Sequence, residues 1–329
     1  MKSICIIVPY FGKLPSTFQL WLNSCKYNDT VNWLIFTDDR SPYDYPRNVQ
    51  VRYTTFDEMK TRIQALYDFT VCLDNPHALC NFKPAQGEIF REELKGFDFW
   101  GYCDIDMIFG NIRKFLTEDI LSTYRKVLGH GHLTLFKNDE EMNVVYRKKV
   151  DGRERYREVF VMKNACTFSE DYYLKPNIGT ICEACNIKVY DDKRIFNDIG
   201  ITSHAFYPIQ LMKDEPQKSP SVYVWERGTL FRFWVDKTTR TLGREEVLYL
   251  HMQKRELAVG DGCNTAERFV VRPNRYERYD GDIDADFVLR AGKDKLVYAH
   301  WWKRQFRKVW KTRGGFLLTA IRHFFKKKK

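Results

Sequence analysis

Several common compositional signals are scarce in this sequence. Its 329 residues include only 18 Gly and 11 Pro, which excludes collagen-like and low-complexity chains. No run approaches the roughly 18 apolar residues of a membrane span. The apolar run after Lys2 is broken at Pro9, which makes it too short for a signal sequence. These absences leave a globular chain that is soluble or lies on a membrane surface.

The cysteines lack the spacing of a metal or disulfide framework. There are nine, an odd number, and they are scattered through apolar segments as buried free thiols are in a reducing cytoplasm. The one Cys-x-x-Cys, Cys182 to Cys185, has no second pair at zinc spacing, which favours a structural role. We therefore predict a cytoplasmic protein, and its 44% of hydrophobic residues suffice for a large core.

The excess positive charge is confined to the end of the chain. Residues 301–329 hold 11 of the 54 Lys and Arg residues and no acidic residue, so residues 1–300 contain 43 basic and 43 acidic residues. A nucleic-acid enzyme usually carries its basic surface on the folded domain, so this distribution argues against nucleic acid as a partner.

Short apolar runs alternate with segments of helical periodicity. The β-branched run Lys2–Val8 predicts a central parallel strand, Ser16–Tyr27 a helix, and Asn32–Thr37 a second strand that leads into Asp38 and Asp39. Further predicted strands are Val49–Tyr53, Phe97–Cys103, Leu133–Phe136, Lys188–Tyr190, Phe231–Val235 and Glu246–His251, and further predicted helices are Phe56–Tyr67, Gln86–Leu94 and Ile178–Asn186. The segment Ile209–Gly228 is predicted to be a polar loop. This order indicates an α/β protein that binds its ligand at the carboxyl ends of the strands.

Two carboxylates follow the predicted strand Phe97–Cys103. Asp104 and Asp106 alternate at its carboxyl end, and such a pair is typical of an oxygen-rich site for Mn²⁺ or Mg²⁺. The motif is short, and a solvated loop is the alternative. Because apolar segments lie on both sides, the carboxylates require a cation or another partner, which favours the metal site.

His251 ends the predicted strand Glu246–His251. A neutral imidazole at the same rim would complete a coordination sphere, while a histidine within the core is the alternative. Lys254 and Arg255 follow directly, and cations at this position would meet a diphosphate leaving group.

These segments together resemble a known family. The segments that carry the resemblance are Asn81–Gly87, Tyr102–Ile112 and Tyr249–Arg255. In this order they resemble the GT-A glycosyltransferases that use nucleotide sugars, and in particular a bacterial group found with capsule and O-antigen assembly genes. The resemblance covers roughly residues 2 to 255. It implies a Rossmann-like mixed sheet in one catalytic domain, residues 1–260, followed by an extension packed on the domain, residues 261–300, and a basic tail, residues 301–329.

The resemblance also implies roles for individual residues. Asp106 would bind the metal directly, Asp104 would contact the metal or the donor ribose, and His251 would be the later ligand. The residues implied to bind the donor nucleotide or its phosphates are Pro9, Tyr10, Asp38, Asp39, Lys83, Asp104 and Lys254. For Lys83, a surface lysine before a helix is an equal alternative.

The residue that activates the acceptor is left open by the sequence. Glu170 and Asp171 precede a helical segment as the general base does in inverting GT-A enzymes, and a carboxylate there would accept the proton of the attacking hydroxyl. The alternative is a helix cap centred on Ser169, and a retaining route without this base also stays open. His130 and His132 are expected to form a turn, with the acceptor side of the site as the alternative.

The basic tail alternates aromatic and cationic residues. Trp302, Phe306 and Trp310 recur at helical spacing among lysines and arginines, a pattern suited to an anionic membrane surface. A helix packed on the domain is the alternative. We predict a Mn²⁺- or Mg²⁺-dependent glycosyltransferase that uses a nucleotide sugar, UDP-linked, and a glycan or lipid-linked glycan acceptor at the inner face of the cytoplasmic membrane. The rival functions are a non-catalytic membrane-binding protein and a metal-dependent phosphatase.

Overall fold

A computed structural model of the protein describes residues 1–172, 175–200, 205–215, 217–218, 220–236, 238–253, 255 and 257–293. The strands are β1 (Ile4–Pro9), β2 (Val31–Thr37), β3 (Val49–Tyr53), β4 (Phe99–Cys103), β5 (Met107–Phe109), β6 (Lys126–Val127), β7 (Leu133–Lys137), β8 (Val189–Tyr190), β9 (Asn197–Asp198), β10 (Ser221–Glu226), β11 (Thr229–Val235), β12 (Leu242–Glu246), β13 (Tyr249–His251), β14 (Ala258–Val259), β15 (Arg268–Arg272) and β16 (Arg275–Arg278). The α-helices are α1 (Phe18–Lys26), α2 (Phe56–Gln64), α3 (Gln86–Ile89), α4 (Ile112–Phe115), α5 (Glu118–Thr123), α6 (Glu140–Asn143), α7 (Arg155–Val159), α8 (Ile178–Ala184) and α9 (Ala285–Ala291). Short 3-10 helices cover Pro76–Ala85, Val145–Arg147, Ile209–Leu211 and Cys263–Thr265.

The main sheet has seven strands in the order β3-β2-β1-β4-β7-β6-β8. Strands β3, β2, β1 and β4 run parallel to one another, whereas β7 is antiparallel to both β4 and β6. The predicted α/β class with a mixed sheet is therefore confirmed. Because β1, β2 and β4 are parallel, their carboxyl ends meet at one edge of the sheet.

Both faces of this sheet are buried, as the continuous apolar run of β1 predicts. Along β1, Ile4, Ile6 and Val8 pack on the side of α1, while Cys5 and Ile7 pack on the side of α2 and α3. The sheet is thus a rigid layer between two cores, and it holds the loops at its carboxyl edge in place.

A second sheet has six strands in the order β12-β11-β10-β15-β16-β14. The prediction of a loop through Ile209–Gly228 is wrong in its second half, because Ser221–Glu226 forms β10 in the middle of this sheet. Val222 packs toward α9, and Tyr223 and Trp225 pack toward α1, β5 and β13, so both faces of the strand are buried. Strands β15 and β16 and helix α9 lie within the predicted extension, and β15 pairs directly with β10.

A three-stranded sheet, β5-β13-β9, lies between these two layers. Strand β5 follows Asp106 directly, and β13 ends at His251 beside the last residue of β9, Asp198. This small sheet therefore gathers polar residues from three distant parts of the chain. Within the ranges described above, no helix has the length and apolar character needed to cross a membrane.

Candidate metal centre

The backbones of Asp104 and Asp106 are anchored on both sides. The Asp104 N–H donates to the His132 carbonyl (3.0 Å), and the Asp104 carbonyl accepts from the buried Trp21 indole (3.2 Å). The Asp106 carbonyl accepts from the Met252 N–H (2.9 Å). With the main chain fixed in this way, both carboxylates project from the carboxyl end of β4 toward the small sheet.

His251 completes this cluster from β13. Its Nε2 lies 3.4 Å from Asp106 Oδ1 and 3.7 Å from Asp104 Oδ2. One ligand atom from each of the three residues can be chosen so that all lie within 4.8 Å of one another. Two carboxylates and an imidazole at this separation fit Mn²⁺ or Mg²⁺, since both accept oxygen ligands and Mn²⁺ also accepts imidazole nitrogen.

The opposite nitrogen of His251 binds a third carboxylate. Its Nδ1 lies 2.7 Å from Asp198 Oδ1, in β9. Burial disfavours the charged imidazolium, yet Asp106 and Asp198 outweigh burial and raise the pKa of His251 to about 10. Without a cation, therefore, His251 itself supplies positive charge among the carboxylates.

Lys83 supplies a second positive charge. It lies in the 3-10 helix Pro76–Ala85, and its Nζ donates to Asp104 Oδ1 (2.7 Å) and to the Gly131 carbonyl (2.8 Å). Burial alone would lower the pKa of the Lys83 ammonium, but its contact with Asp104 raises it. Lys83 is therefore a buried partner of the Asp-x-Asp motif, and the surface-lysine alternative is wrong.

The His132 ring packs against one face of the His251 ring. The two rings are stacked with centroids 4.3 Å apart, and His132 Nδ1 lies 2.8 Å from the hydroxyl of Tyr249. Burial and the neighbouring charges of His251, His130 and Lys83 lower the pKa of His132 well below its ordinary value. His132 is therefore a neutral residue of the site wall, within the turn that the sequence predicts.

Glu170 faces the cluster from a turn. Burial raises its pKa, Lys83 opposes this shift, and Asp104 and Asp198 add to it. An added Cβ on Gly131, where φ is +82°, would lie 2.5 Å from Glu170 Cγ, so a glycine is required for this close approach. Glu170 is thus a half-buried carboxyl group with a raised affinity for a proton.

The side chain of Asp171 contacts Lys126 and not the cluster of Asp104, Asp106 and His251. Its Oδ2 accepts from the fully buried Lys126 (2.5 Å), and its backbone N–H donates to the Gly129 carbonyl (2.8 Å). Burial raises the pKa of Asp171, and Lys126 opposes the shift. The two adjacent carboxylates therefore have different surroundings, one facing the cluster and one held in an internal ion pair.

The helix-cap interpretation of this segment is wrong. Phe168 and Ser169 lie in one turn and Asp171 and Tyr172 in the next, and the N-cap of α8 is Asn177, whose side chain accepts from the Thr180 N–H (3.0 Å) in a capping box. Ser169 is buried, and its carbonyl accepts from the Tyr102 hydroxyl (3.3 Å).

The residues expected to bind the nucleoside lie at the neighbouring strand ends. Pro9 ends β1, and burial together with Asp106 and Asp39 raises the pKa of the Tyr10 hydroxyl. Asp38 Oδ1 accepts from the Gly12 N–H (2.7 Å). Asp39 accepts from the Leu14 N–H (2.8 Å) and from the backbone and side chain of Ser41, and these bonds lower its pKa. Both acidic residues therefore also shape the loop after β1.

Two expected elements lie outside the described residues, namely Lys254 and the tail 301–329. Arg255 is described, and its guanidinium donates to the Pro273 and Gly200 carbonyls. Asp198 and Lys126 were not predicted from the sequence. Asp198 has the same signal as Asp104, an acidic residue in an apolar stretch, but its strand is only two residues long.

The described residues define a mixed α/β protein with an acidic, histidine-containing site at the carboxyl edge of its main sheet. The chain belongs to DUF6625, a family of unknown function whose model matches residues 6–280. No curated protein matches it.

Two solved structures align with part of this chain. The galactosyltransferase LgtC, in complex with donor and acceptor sugar analogs, aligns with 59% of this chain and 75% of its own chain at 10% identity and a TM-score of 0.31. Mouse xyloside xylosyltransferase 1, in its apo form, aligns with 57% of this chain and 77% of its own at 5% identity and a TM-score of 0.32.

Proposed function

We propose that this protein is a metal-dependent glycosyltransferase that transfers a sugar from a UDP-linked donor to a cell-surface glycan such as a capsule or O-antigen chain. One observation carries the proposal. Asp104, Asp106 and His251, which are separated by almost 150 residues of chain, meet within coordination distance at the edge where Tyr10 and Asp38 also lie. This is the combination that the GT-A resemblance requires of a metal and nucleotide-sugar site.

The leaving group of such a reaction is a nucleoside diphosphate. A bound Mn²⁺ or Mg²⁺ supplies positive charge that stabilises the departing phosphate oxygens. In this chain Asp104, Asp106 and His251 would hold the cation. Lys83, now paired with Asp104, would also lie within reach of the donor, and Lys254 is proposed to contact the diphosphate.

The attacking group is an acceptor hydroxyl, which must lose a proton. Glu170 is the better candidate for the general base because it faces the cluster and burial raises its pKa toward neutrality. Asp171 is less suited, since its carboxylate is already bound by Lys126. A retaining route that needs no such base is the alternative if Glu170 is dispensable.

The acceptor and the location of the enzyme are inferred from the tail sequence. Lipid-linked glycans are assembled at the inner face of the cytoplasmic membrane, and a segment with 11 cations and no anions would bind anionic headgroups there. Each near-surface cation contributes about 1 kcal/mol. Replacing Lys326, Lys327, Lys328 and Lys329 by Gln should therefore weaken sedimentation with anionic liposomes, and unchanged sedimentation would contradict the membrane role.

The function is tested with a panel of nucleotide sugars, each with Mn²⁺ or with excess chelator. We expect one donor to raise the Tm of the purified protein and to be hydrolysed slowly, both only when the metal is present. Asp286→Asn, which changes an exposed aspartate, is the matched control and should show the wild-type Tm increase and hydrolysis. Donor turnover that persists in chelator would contradict the metal mechanism, and hydrolysis of simple phosphate esters would favour the phosphatase.

A further inference from the structure

We propose that Asp198 is a positioning residue that orients His251 so that its Nε2 faces the metal. The inference rests on the proposed metal site and adds to it a residue that the sequence motifs do not include. The register of two short strands places the two residues side by side. Strand β9 runs parallel to β13 with Asp198 directly beside His251, and the Ile199 N–H donates to the His251 carbonyl (3.0 Å).

The hydrogen bond between the two side chains fixes the roles of the ring nitrogens. An ionised carboxylate only accepts hydrogen bonds, so Nδ1 of His251, 2.7 Å from Asp198 Oδ1, must carry the hydrogen. A neutral His251 then has its lone pair on Nε2, the atom nearest to Asp104 and Asp106. Carboxylates that bind the outer nitrogen of a ligating histidine are a common feature of metal sites.

Asp198 is itself held on two sides. Its Oδ2 accepts from Gln253 Nε2 (2.7 Å), and its backbone N–H donates to Gln210 Oε1 (3.4 Å). The Gln210 amide donates in turn to the Phe196 carbonyl (2.6 Å). Gln253 and His251 therefore hold one carboxylate oxygen each, while Gln210 holds the Asp198 backbone, and this fixed position is the property that a positioning residue needs.

The rest of the His251 environment fixes the plane of the ring. His132 stacks on it with an interplanar angle of 24°, and His132 is anchored by Tyr249. Asp198, His132 and His251 also form a second group whose ligand atoms lie within 4.8 Å of one another. In that group the Asp198 oxygen and Nδ1 are already bonded to each other, which favours an orienting role over direct coordination by Asp198.

The test measures Mn²⁺ affinity in metal-free protein by the electron paramagnetic resonance signal of free Mn²⁺. Loss of the outer partner of a metal-bound histidine typically weakens affinity 10- to 100-fold, so we expect a Kd increase in this range for Asp198→Ala. Asp198→Asn keeps an acceptor for the His251 Nδ1–H, so its Mn²⁺ affinity should fall less than that of Asp198→Ala. Asp192→Asn, six residues earlier and paired with the exposed Arg194, is the matched control and should keep the wild-type Kd.

A purely structural role for Asp198 would lower the Tm and leave the Kd unchanged. Nuclear magnetic resonance of ¹⁵N-labelled histidine provides the second readout, because the hydrogen-bonded Nδ1–H signal of His251 should disappear in Asp198→Ala. If Asp198→Ala does not fold, the Mn²⁺ Kd and the Nδ1–H signal of His251 are measured on Asp198→Asn instead, and they test the same inference. Wild-type Mn²⁺ affinity in the folded variants would overturn the inference alone. A wild-type protein that binds Mn²⁺ but turns over no nucleotide sugar would overturn the proposed function alone, and failure to bind Mn²⁺ would overturn both.

Discussion

Two neighbouring groups of charged residues in this protein, one largely buried and one partly exposed, are balanced differently. In one, Lys126 and Asp171 form a matched pair inside the fold. In the other, Asp104, Asp106, Asp198 and Glu170 surround the two cations Lys83 and His251. Burying unpaired charge is costly, so a matched pair needs nothing further, whereas an excess of carboxylates favours the binding of a cation.

The structure distinguishes the surroundings of two carboxylates that look alike in the sequence. Glu170 and Asp171 are adjacent and chemically similar, and burial raises the pKa of both. They differ in their partners, because Asp171 is bound by a lysine with no exposed surface and Glu170 faces the acidic group. The four predictions that follow test this difference.

The largest effect is expected for Asp106→Asn. The substitution removes a proposed metal ligand, so donor turnover should fall by about 10³-fold or more, to the level seen in excess chelator. The Tm of the metal-free protein should fall modestly at neutral pH, because His251, whose raised pKa depends on Asp106 and Asp198, loses one of these two carboxylate partners. Turnover assays and thermal unfolding check both parts. If the variant retains metal-dependent turnover, Asp106 is not a metal ligand.

Glu170→Gln should affect activity and stability in opposite directions. Loss of a general base typically lowers the rate by about 10²- to 10⁴-fold, while donor binding persists. Because the folded pKa of Glu170 lies above the unfolded value, its carboxyl group stabilises the fold at low pH and loses that contribution as the pH rises through the folded pKa. The Tm of the variant should therefore exceed that of wild type at neutral pH, and the difference should disappear below about pH 4.

Asp171→Asn is the matched control for this experiment. It should retain most of the turnover and lose stability, since it leaves Lys126 buried without its partner. If instead Asp171→Asn abolishes transfer and Glu170→Gln does not, the assignment of the base is reversed. Near wild-type rates in both variants would favour the retaining route.

Some residues of these two groups were easier to predict from the sequence than others. Asp104 and Asp106 stand between apolar segments at the end of a long buried strand, and His251 ends a recognisable apolar run, so both signals are local. Asp198 and Lys126 lie in strands of two residues, whose existence depends on pairing with β13 and β7 rather than on their own sequence. Burial of these two residues is a tertiary property that residue pattern does not contain.

The error in the second sheet has a different reason. The polar residues before Ser221 predict a loop that continues to Gly228. The strand Ser221–Glu226 forms because β11 and β15 pair with it on both edges and its two faces are both covered. The run Val222–Trp225 is continuously apolar, as that of β1 is, so the sequence contains the signal of a buried strand, but the polar residues and prolines before it favoured a loop.

Lys126→Met should reduce stability without changing the metal site. Breaking a buried ion pair on one side typically costs about 3–5 kcal/mol, because the remaining Asp171 charge has no partner. The double variant Lys126→Met with Asp171→Leu should recover much of this loss. Urea unfolding measures the stability, and Mn²⁺ titration should give the wild-type Kd. A weakened Kd in the folded single variant would show that the two charge groups are coupled.

The smallest effect on stability is expected for Lys83→Met. This substitution removes one of the two cations among the carboxylates and so increases the excess of negative charge, whereas Lys126→Met breaks the buried Lys126–Asp171 pair. The Lys83–Asp104 bond is partly solvated on the Asp104 side, so its removal should destabilise the metal-free protein by only about 1–2 kcal/mol. A cation added at the cluster would restore the missing positive charge. Mn²⁺ should therefore raise the Tm of Lys83→Met by more than it raises that of wild type, and Lys95→Met, which removes an exposed lysine, should show the wild-type increase. An equal Mn²⁺-dependent increase in all three proteins would mean that Lys83 and the metal do not share the charge of Asp104.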